Sequence, residues 1–520
     1  MIAVRPTSPS AVRRSLSCLL LLLASAGLCA QSRVEQGGAR IEILGADQWT
    51  SDKAIANGAQ RLIGNARFQH QGAVMACDSA HIHADQQVDA FGRIRITQGD
   101  TLQVTGRSLH YSAKDRVAEL DGDVRLNDRD MELSTEHLIY AIGDRVATYT
   151  GGGTLVSRKE NNTLTSGRGS YLAASHTFVF SDDVVLVGPD RAITGDTLHY
   201  TTTTGVARFL GPTTITSGGT RMWCERGSYD TRRDVGHFSR GGRILLKDGQ
   251  ELRGDSLRYD RTAGVGEAWG HVVALDTAND VVVRGERGRY DELNARSFVT
   301  DRAELVLLLG DDSLFLHADT LFATSDSAGA RRITGRRGVR FFKADLQGVC
   351  DTVRYAQADS LIHLDGSPAL WSGADQITGR HMRIKLRDGR PDTLYVDEDA
   401  FLASEVDTAH YDQVTGTHMV GLFRGSELHR IEATGTCRTV YHPKEQRDGG
   451  EVITGVNRAD CSKLVVTIVE GRVQRITFIT RPDATLYPLE QATAEERVLK
   501  GFTWRAAERP MDRAGIFARP

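Results

Sequence analysis

Between Ile82 and Val466 one short phrase returns about every 30 residues. Its clearest copies are Gly106-Arg107-Ser108-Leu109-His110-Tyr111, Gly195-Asp196-Thr197-Leu198-His199-Tyr200, Gly254-Asp255-Ser256-Leu257-Arg258-Tyr259 and Cys350-Asp351-Thr352-Val353-Arg354-Tyr355. The last position anchors the series: Ile82, Tyr111, Tyr140, Tyr171, Tyr200, Tyr229, Tyr259, Tyr290, Ala323, Tyr355, Ile384, Tyr411, Tyr441 and Val466. A fixed period of this length marks a repeat array, in which each unit buries its apolar face against its neighbours. Such a chain works through an extended surface or groove more readily than through one reactive pocket.

Within a phrase the apolar residues alternate, as a half-buried strand requires. The anchor and the residue two before it point inward. The residue just before the anchor points outward and is usually polar, as at His110, Arg258 and Arg354. A polar turn follows, then Val117-Ala118-Glu119-Leu120, then Gly122, then Val124-Arg125-Leu126, which reads as three short strands per unit. Gly is abundant at 53 residues and Pro scarce at 11, which suits many strands joined by tight turns. The expected fold is all-β, an elongated, twisted, open array of repeated units. From Gly169 onward the inward slot alternates Gly169, Leu198, Gly227, Leu257, Gly288, Leu321, which predicts big and small side chains in alternate layers.

The N-terminus reads as a secretory signal over residues 1–30. Arg13 and Arg14 precede the run Leu19 to Leu23, with small residues around Ala24-Ser25-Ala26 and Cys29-Ala30. Cys29 follows Leu28 where a lipoprotein signal needs a small residue, which argues against lipidation. The array is expected over residues 31–480, and a tail with a short helix over 481–520. A formal charge of -3, from 64 basic and 67 acidic residues, argues against nucleic-acid binding, which needs a clustered basic face.

Cys77, Cys224, Cys350 and Cys461 each stand five residues before an anchor, in the slot that Gly fills elsewhere. They read as small buried residues. Cysteines several units apart are too distant to bridge, so only Cys437 and Cys461 are near enough to pair.

Three sets of residues carry groups suited to chemistry. The slot four before the anchor is often acidic (Asp78, Glu136, Asp196, Glu225, Asp255, Glu286, Asp319, Asp351, Asp407), yet one acid per 30 residues is far too sparse for a calcium roll. Stacked at about 5 Å these acids would repel by about 0.8 kcal/mol per pair in water, which places them at a wet rim where each strand begins. His81 and His83 share a strand face but have no further ligand at zinc spacing, and read as a solvated pair. Arg258, Arg289, Arg354 and Arg383 are suited to phosphates, or form an ordinary solvated face. No nucleophile elbow, zinc-protease, P-loop or dinucleotide motif is present, so no enzyme, cofactor or metal is expected. In the tail, Thr493-Ala494-Glu495-Glu496 predicts a helix through Lys500, stopped by Gly501; Phe502 and Trp504 follow, as an array cap or a docking element.

Gly106 to Tyr111 followed by Ala118 to Leu126, with further copies from Gly195 to Ile215 and from Gly254 to Val273, resembles the OstA/LptA family of lipopolysaccharide-transport proteins. The likeness runs from about Ile41 to Phe478. It implies an open β-jellyroll whose interior shields lipid A acyl chains of lipopolysaccharide. The ends would pair edge to edge with other jellyroll proteins in a bridge to an outer-membrane translocon. It also implies a periplasmic location, associated with the outer membrane. Leu109, Tyr111, Leu198, Tyr200, Leu257 and Tyr259 are then the expected groove lining, or the core beneath it. The strands Ala39 to Leu44 and Val473 to Phe478 are the expected edges, the second partly capped or reserved for a partner. The competing reading is a structural or adhesive β-solenoid scaffold of the cell envelope, with a filled interior. A polysaccharide-processing β-helix would need inward carboxylates, which the inward slots lack.

Overall fold

A computed structural model describes residues 40–51, 58–247, 249–309, 312–326, 329–425, 427–447 and 450–518. Its elements belong to one unit, Ile41–Pro520; of the separate unit Met1–Arg40 only Arg40 is described, and it is exposed. The secretory signal and Ala39 therefore lie outside the described residues. Strand accounts for 71% of the described residues and helix for 2%, which makes the fold all-β. Thirty-six strands join in one antiparallel sheet, and a ribbon of Lys444–Arg447 with Gly450–Ile453 stands apart from it.

The strand Leu102–Ser112 shows how the sequence builds this sheet. Leu102 and Val104 are buried, Gly106 and Arg107 break the alternation, and Leu109 and Tyr111 resume it on the same face. Its register with Val117–Asp128 slips at that break, where Gly122 and Asp123 take positive φ values of 80° and 44°. A bulge of this kind bends a strand sharply. The same left-handed pair recurs at Gly92–Arg93, Asp182–Asp183, Gly270–His271, Arg337–Gly338 and Glu398–Asp399. The sheet is thereby folded along one line into two half-sheets that face each other.

Two sequence expectations change here. In the unit Leu102–Asp128 the three short strands are two long ones, because what separates Leu120 from Val124 is a bulge and not a turn, whereas strands of four or five residues recur between Val146 and Asp230. Asp78, Asp196, Asp255, Asp319 and Asp351 sit in mid-strand and not where a strand begins, whereas Glu225 directly precedes the strand Arg226–Asp230 and Asp407 lies between strands. Asp78 accepts from Arg93 at 2.7 Å, and Asp255 meets His271 at 2.8 Å. A side chain at Gly270 would bring its Cβ to 2.4 Å from the Asp255 carboxylate, so the fold line needs glycine there.

Apolar residues of both half-sheets meet in two cores, one from Leu62 to Val272 and one from Val299 to Ile468. Edge strands are Glu42–Gly45 and Gln48–Ser51 at one end, both paired with Gln60–His70. At the other end Arg472–Phe478 and Asp483–Pro488 both pair with Gly455–Val469.

The tail turns back from the last edge strand and runs over the outer face of the second half of the array. Its helix is a single turn, Ala494–Arg497, shorter than the capping pattern predicts, with the Thr493 amide donating to Glu496 at 2.6 Å. Two buried glutamines then grip the tail backbone. Gln413 donates to the Arg497 carbonyl at 3.0 Å and accepts from the Leu499 amide at 2.9 Å. Gln376 donates to the Thr503 carbonyl and accepts from the Arg505 amide, both at 2.7 Å. Farther on, Arg340 donates to the carbonyls of Glu508 and Gly515, and Arg513 makes a two-point pair with the buried Glu304. Phe502 and Leu499 pack with Phe401, Ala403 and Val440 in a small separate core. The tail is a strap across the outer face; it is not a plug over the end of the array.

Candidate functional site

In a folded sheet the inward side chains line up in rows that cross every strand. The anchor row runs Tyr111, Ala118, Tyr140, Ala147, Tyr171, Phe178, Tyr200, Ala207, Tyr229, Gly236, Tyr259, Gly266, Tyr290. With Phe178 as the exception, tyrosine alternates with a small residue, so each ring packs over a neighbour that leaves it room. The alternation then fails. Tyr290 is followed by Ser297, Ala323 and Ile333, two small residues in succession.

A second row fails at the same place. Gly169 lies between Tyr149 and Phe180, and Gly227 between Phe209 and Phe238, so flanking rings occupy the space each glycine leaves. Gly288 lies between Ala268 and Val299. No ring flanks it on either side. The outcome is a cavity of about 270 Å³ between the half-sheets. Tyr259, Tyr290 and Ala323 line it from one half, and Leu246, Leu252 and Val283 from the other. Gln250, Arg289, Arg296 and Arg331 stand among its polar lining groups, and Arg331 pairs with Asp276 at 2.7 Å. The interior is apolar, as an apolar ligand chain requires, and its polar margin is mixed in charge, with Glu251 and Asp276 beside the arginines.

Before the cavity, polar contacts close the gap between the half-sheets. The Tyr111 hydroxyl meets His70 at 2.5 Å; Tyr140 donates to Gln98, Tyr171 to Asp128 and Tyr200 to Glu160. Arg191 reaches Asp234 at 2.9 Å, and Asp234 also accepts from Tyr229. Burial pushes the Tyr111 and Tyr140 hydroxyls up to about 12, so both stay protonated. For Asp128 burial is the largest influence and acts upward. The hydrogen bonds from Thr101, Tyr171 and His176 outweigh it and hold the carboxyl below its usual range.

All six residues singled out in the repeat are buried. Leu109, Tyr111, Leu198, Tyr200 and Leu257 lie in the closely packed first core, and Tyr259 borders the cavity. The lining contributed by Leu246, Leu252 and Val283 was not evident in the sequence, because it comes from the strand halves that precede each phrase. A second cavity, of about 350 Å³, lies between the outer face and the strap; its Arg340 and Arg505 are engaged by the tail.

The remaining candidate groups form surface ion pairs. Arg258 and Arg289 share Glu267, Arg354 pairs with Asp365, and Arg383 with Asp397. Asp89, on the strand beside His81 and His83, accepts from both His83 and His110 at 2.7 Å. Among the described residues no group of three or more His, Cys, Asp or Glu is placed to hold a metal ion. No described helix is long and apolar enough to cross a membrane.

Two comparisons bear on this geometry. Residues 38–196 match the sequence model of the OstA-like protein family. No curated protein matches the chain. The bent-strand pattern of the matched segment continues beyond it, with bulges at Gly270–His271, Arg337–Gly338 and Glu398–Asp399.

Proposed function

Taking residues 38–196 as OstA-like, we propose that this chain is a periplasmic component of lipopolysaccharide transport that holds lipid acyl chains between its half-sheets. It acts by binding and not by catalysis. The observation that carries this reading is the cavity at Tyr259, Tyr290 and Ala323, where both inward rows lose their bulky member together. An acyl chain entering such a space gains about 0.8 kcal/mol per buried methylene. Among the described residues the edge strands at both ends pair on one side only, and other jellyroll proteins of a bridge, or an outer-membrane translocon, would add a strand there.

A photo-crosslinking residue placed at Tyr259, Tyr290 or Ala323 tests the reading in cells. Lipopolysaccharide adducts at these sites, with few at Leu109 or Leu198, are the expected result. Absence of adducts at every inward site, against a positive control, overturns it. The packed first core favours a second reading, an envelope scaffold, for that half of the array. A scaffold has no use for an apolar void, and would show no adducts.

A further inference from the structure

We propose that Cys437 and Cys461 form an oxidation site, closing to a disulfide when the protein meets a low-molecular-weight disulfide. The two residues are direct cross-strand partners, one on Glu427–Tyr441 and the other on Gly455–Val469. Directly opposed residues of antiparallel strands have Cα atoms about 4.5–5.5 Å apart, inside the range of about 4.4–6.8 Å that a disulfide spans. Both thiols are free in this structure, and the Cys437 thiol donates to the Ser462 carbonyl, next to Cys461 in the chain, at 3.7 Å. Cys77, Cys224 and Cys350 are buried and widely separated along the array.

Access is asymmetric. Cys437 is fully buried, whereas Cys461 is half-buried and lies where the outer neighbour of its strand changes, between the pairs Asp460–Asp483 and Leu464–Phe478. The Cys461 thiolate attacks the incoming disulfide and releases one thiolate. The Cys437 thiolate then attacks the Cys461 sulfur and releases the second. Two protein thiols are oxidised, one external disulfide is reduced, and both protons end on the released thiols. The bond would hold the strand that carries both terminal edge strands. Burial raises both thiols, so the reaction should quicken as pH rises.

The test treats the full chain with oxidised glutathione at pH 7 and 8.5, followed by unfolding in a maleimide and peptide mass spectrometry. The expected products are a Cys437–Cys461 linked peptide, formed faster at pH 8.5, and maleimide adducts at Cys77, Cys224 and Cys350. Maleimide on both Cys437 and Cys461 after oxidation overturns the proposal, and so does glutathione that stays on Cys461. The oxidised wild type should melt several degrees above the reduced protein. A double variant, Cys437→Ser with Cys461→Ser, should lose that response; an equal response in it overturns the proposal.

Discussion

The Tyr171 hydroxyl donates to the Asp128 carboxylate across the two half-sheets, from 43 residues along the chain. It is one rung of a ladder in which the anchor tyrosines tie the strand-ends together. Tyr171→Phe keeps the ring, which stacks on Phe178 at 4.3 Å, and removes only the donor. The expected cost is about 1–3 kcal/mol, because a buried carboxylate loses a partner. Urea unfolding of the variant measures it; an unchanged midpoint would show that the rung carries no load.

The same ladder sets the acid limb of stability. Asp128 and Glu160 both lie below their usual range in the folded protein, despite burial acting upward, because hydroxyl, histidine and arginine donors hold the charged form. A depressed folded value means the stabilisation is complete above the unfolded carboxyl values of about 3.9–4.3. It is lost as pH falls through the folded values. Unfolding curves from pH 6 down to 2 should steepen there for the wild type and less so for Tyr171→Phe.

Asp375 has the opposite sign. Burial, with the neighbouring Asp412 adding to it and Ser404 opposing, pushes its carboxyl up to about 7. Stability from this group is complete below the unfolded value of about 3.9 and is lost as pH rises through 7. Asp375→Asn should remove the decline between about pH 4 and 7, a gain on the order of a few kcal/mol at the upper end. Melting temperatures across that interval check it, and parallel curves for the two proteins would refute it.

Ala323→Tyr restores the big-small alternation where it fails. It should fill the cavity, leave the fold intact and raise stability by about 0.5–2 kcal/mol, as cavity-filling changes commonly do. Binding of a fluorescent acyl-chain probe, and its displacement by lipopolysaccharide, should be lost. Retained probe binding in a folded variant would place the lipid elsewhere.

The strap is structural in its contacts. Gln413→Ala should cost about 1–3 kcal/mol by leaving the tail's backbone groups at Arg497 and Leu499 without their partner. Deleting residues 492–520 should lower the melting temperature more, since Phe401, Ala403 and Val440 lose their cover. Undiminished stability in both the point variant and the truncated protein would assign the tail to partner docking alone.

Much of the fold was legible because the inward rows follow one residue rule. The tyrosine phrase, the glycine alternation and the odd Ala323 are all visible along the chain, and they mark the core and the place where it thins. The fold line was misread because Gly122-Asp123 has the composition of a turn; whether such a pair reverses a strand or only bends it depends on the partner strand. The rungs were invisible because Tyr171 and Asp128 belong to different units and meet only after folding. The strap escaped notice for a different reason: Gln376 and Gln413 recognise backbone, which leaves no pattern in the tail sequence.

The strap also imposes an order in time. In the first half of the array each strand pairs with those close to it in sequence, so that half can assemble as the chain emerges. Glu304 waits for Arg513, 209 residues later. Until then the outer face holds a carboxylate paired with Arg284 alone and the two unfilled glutamine clamps. The second half is therefore completed only when the last residues are made, and a premature stop near the C-terminus would strand it unfinished beside a finished first half.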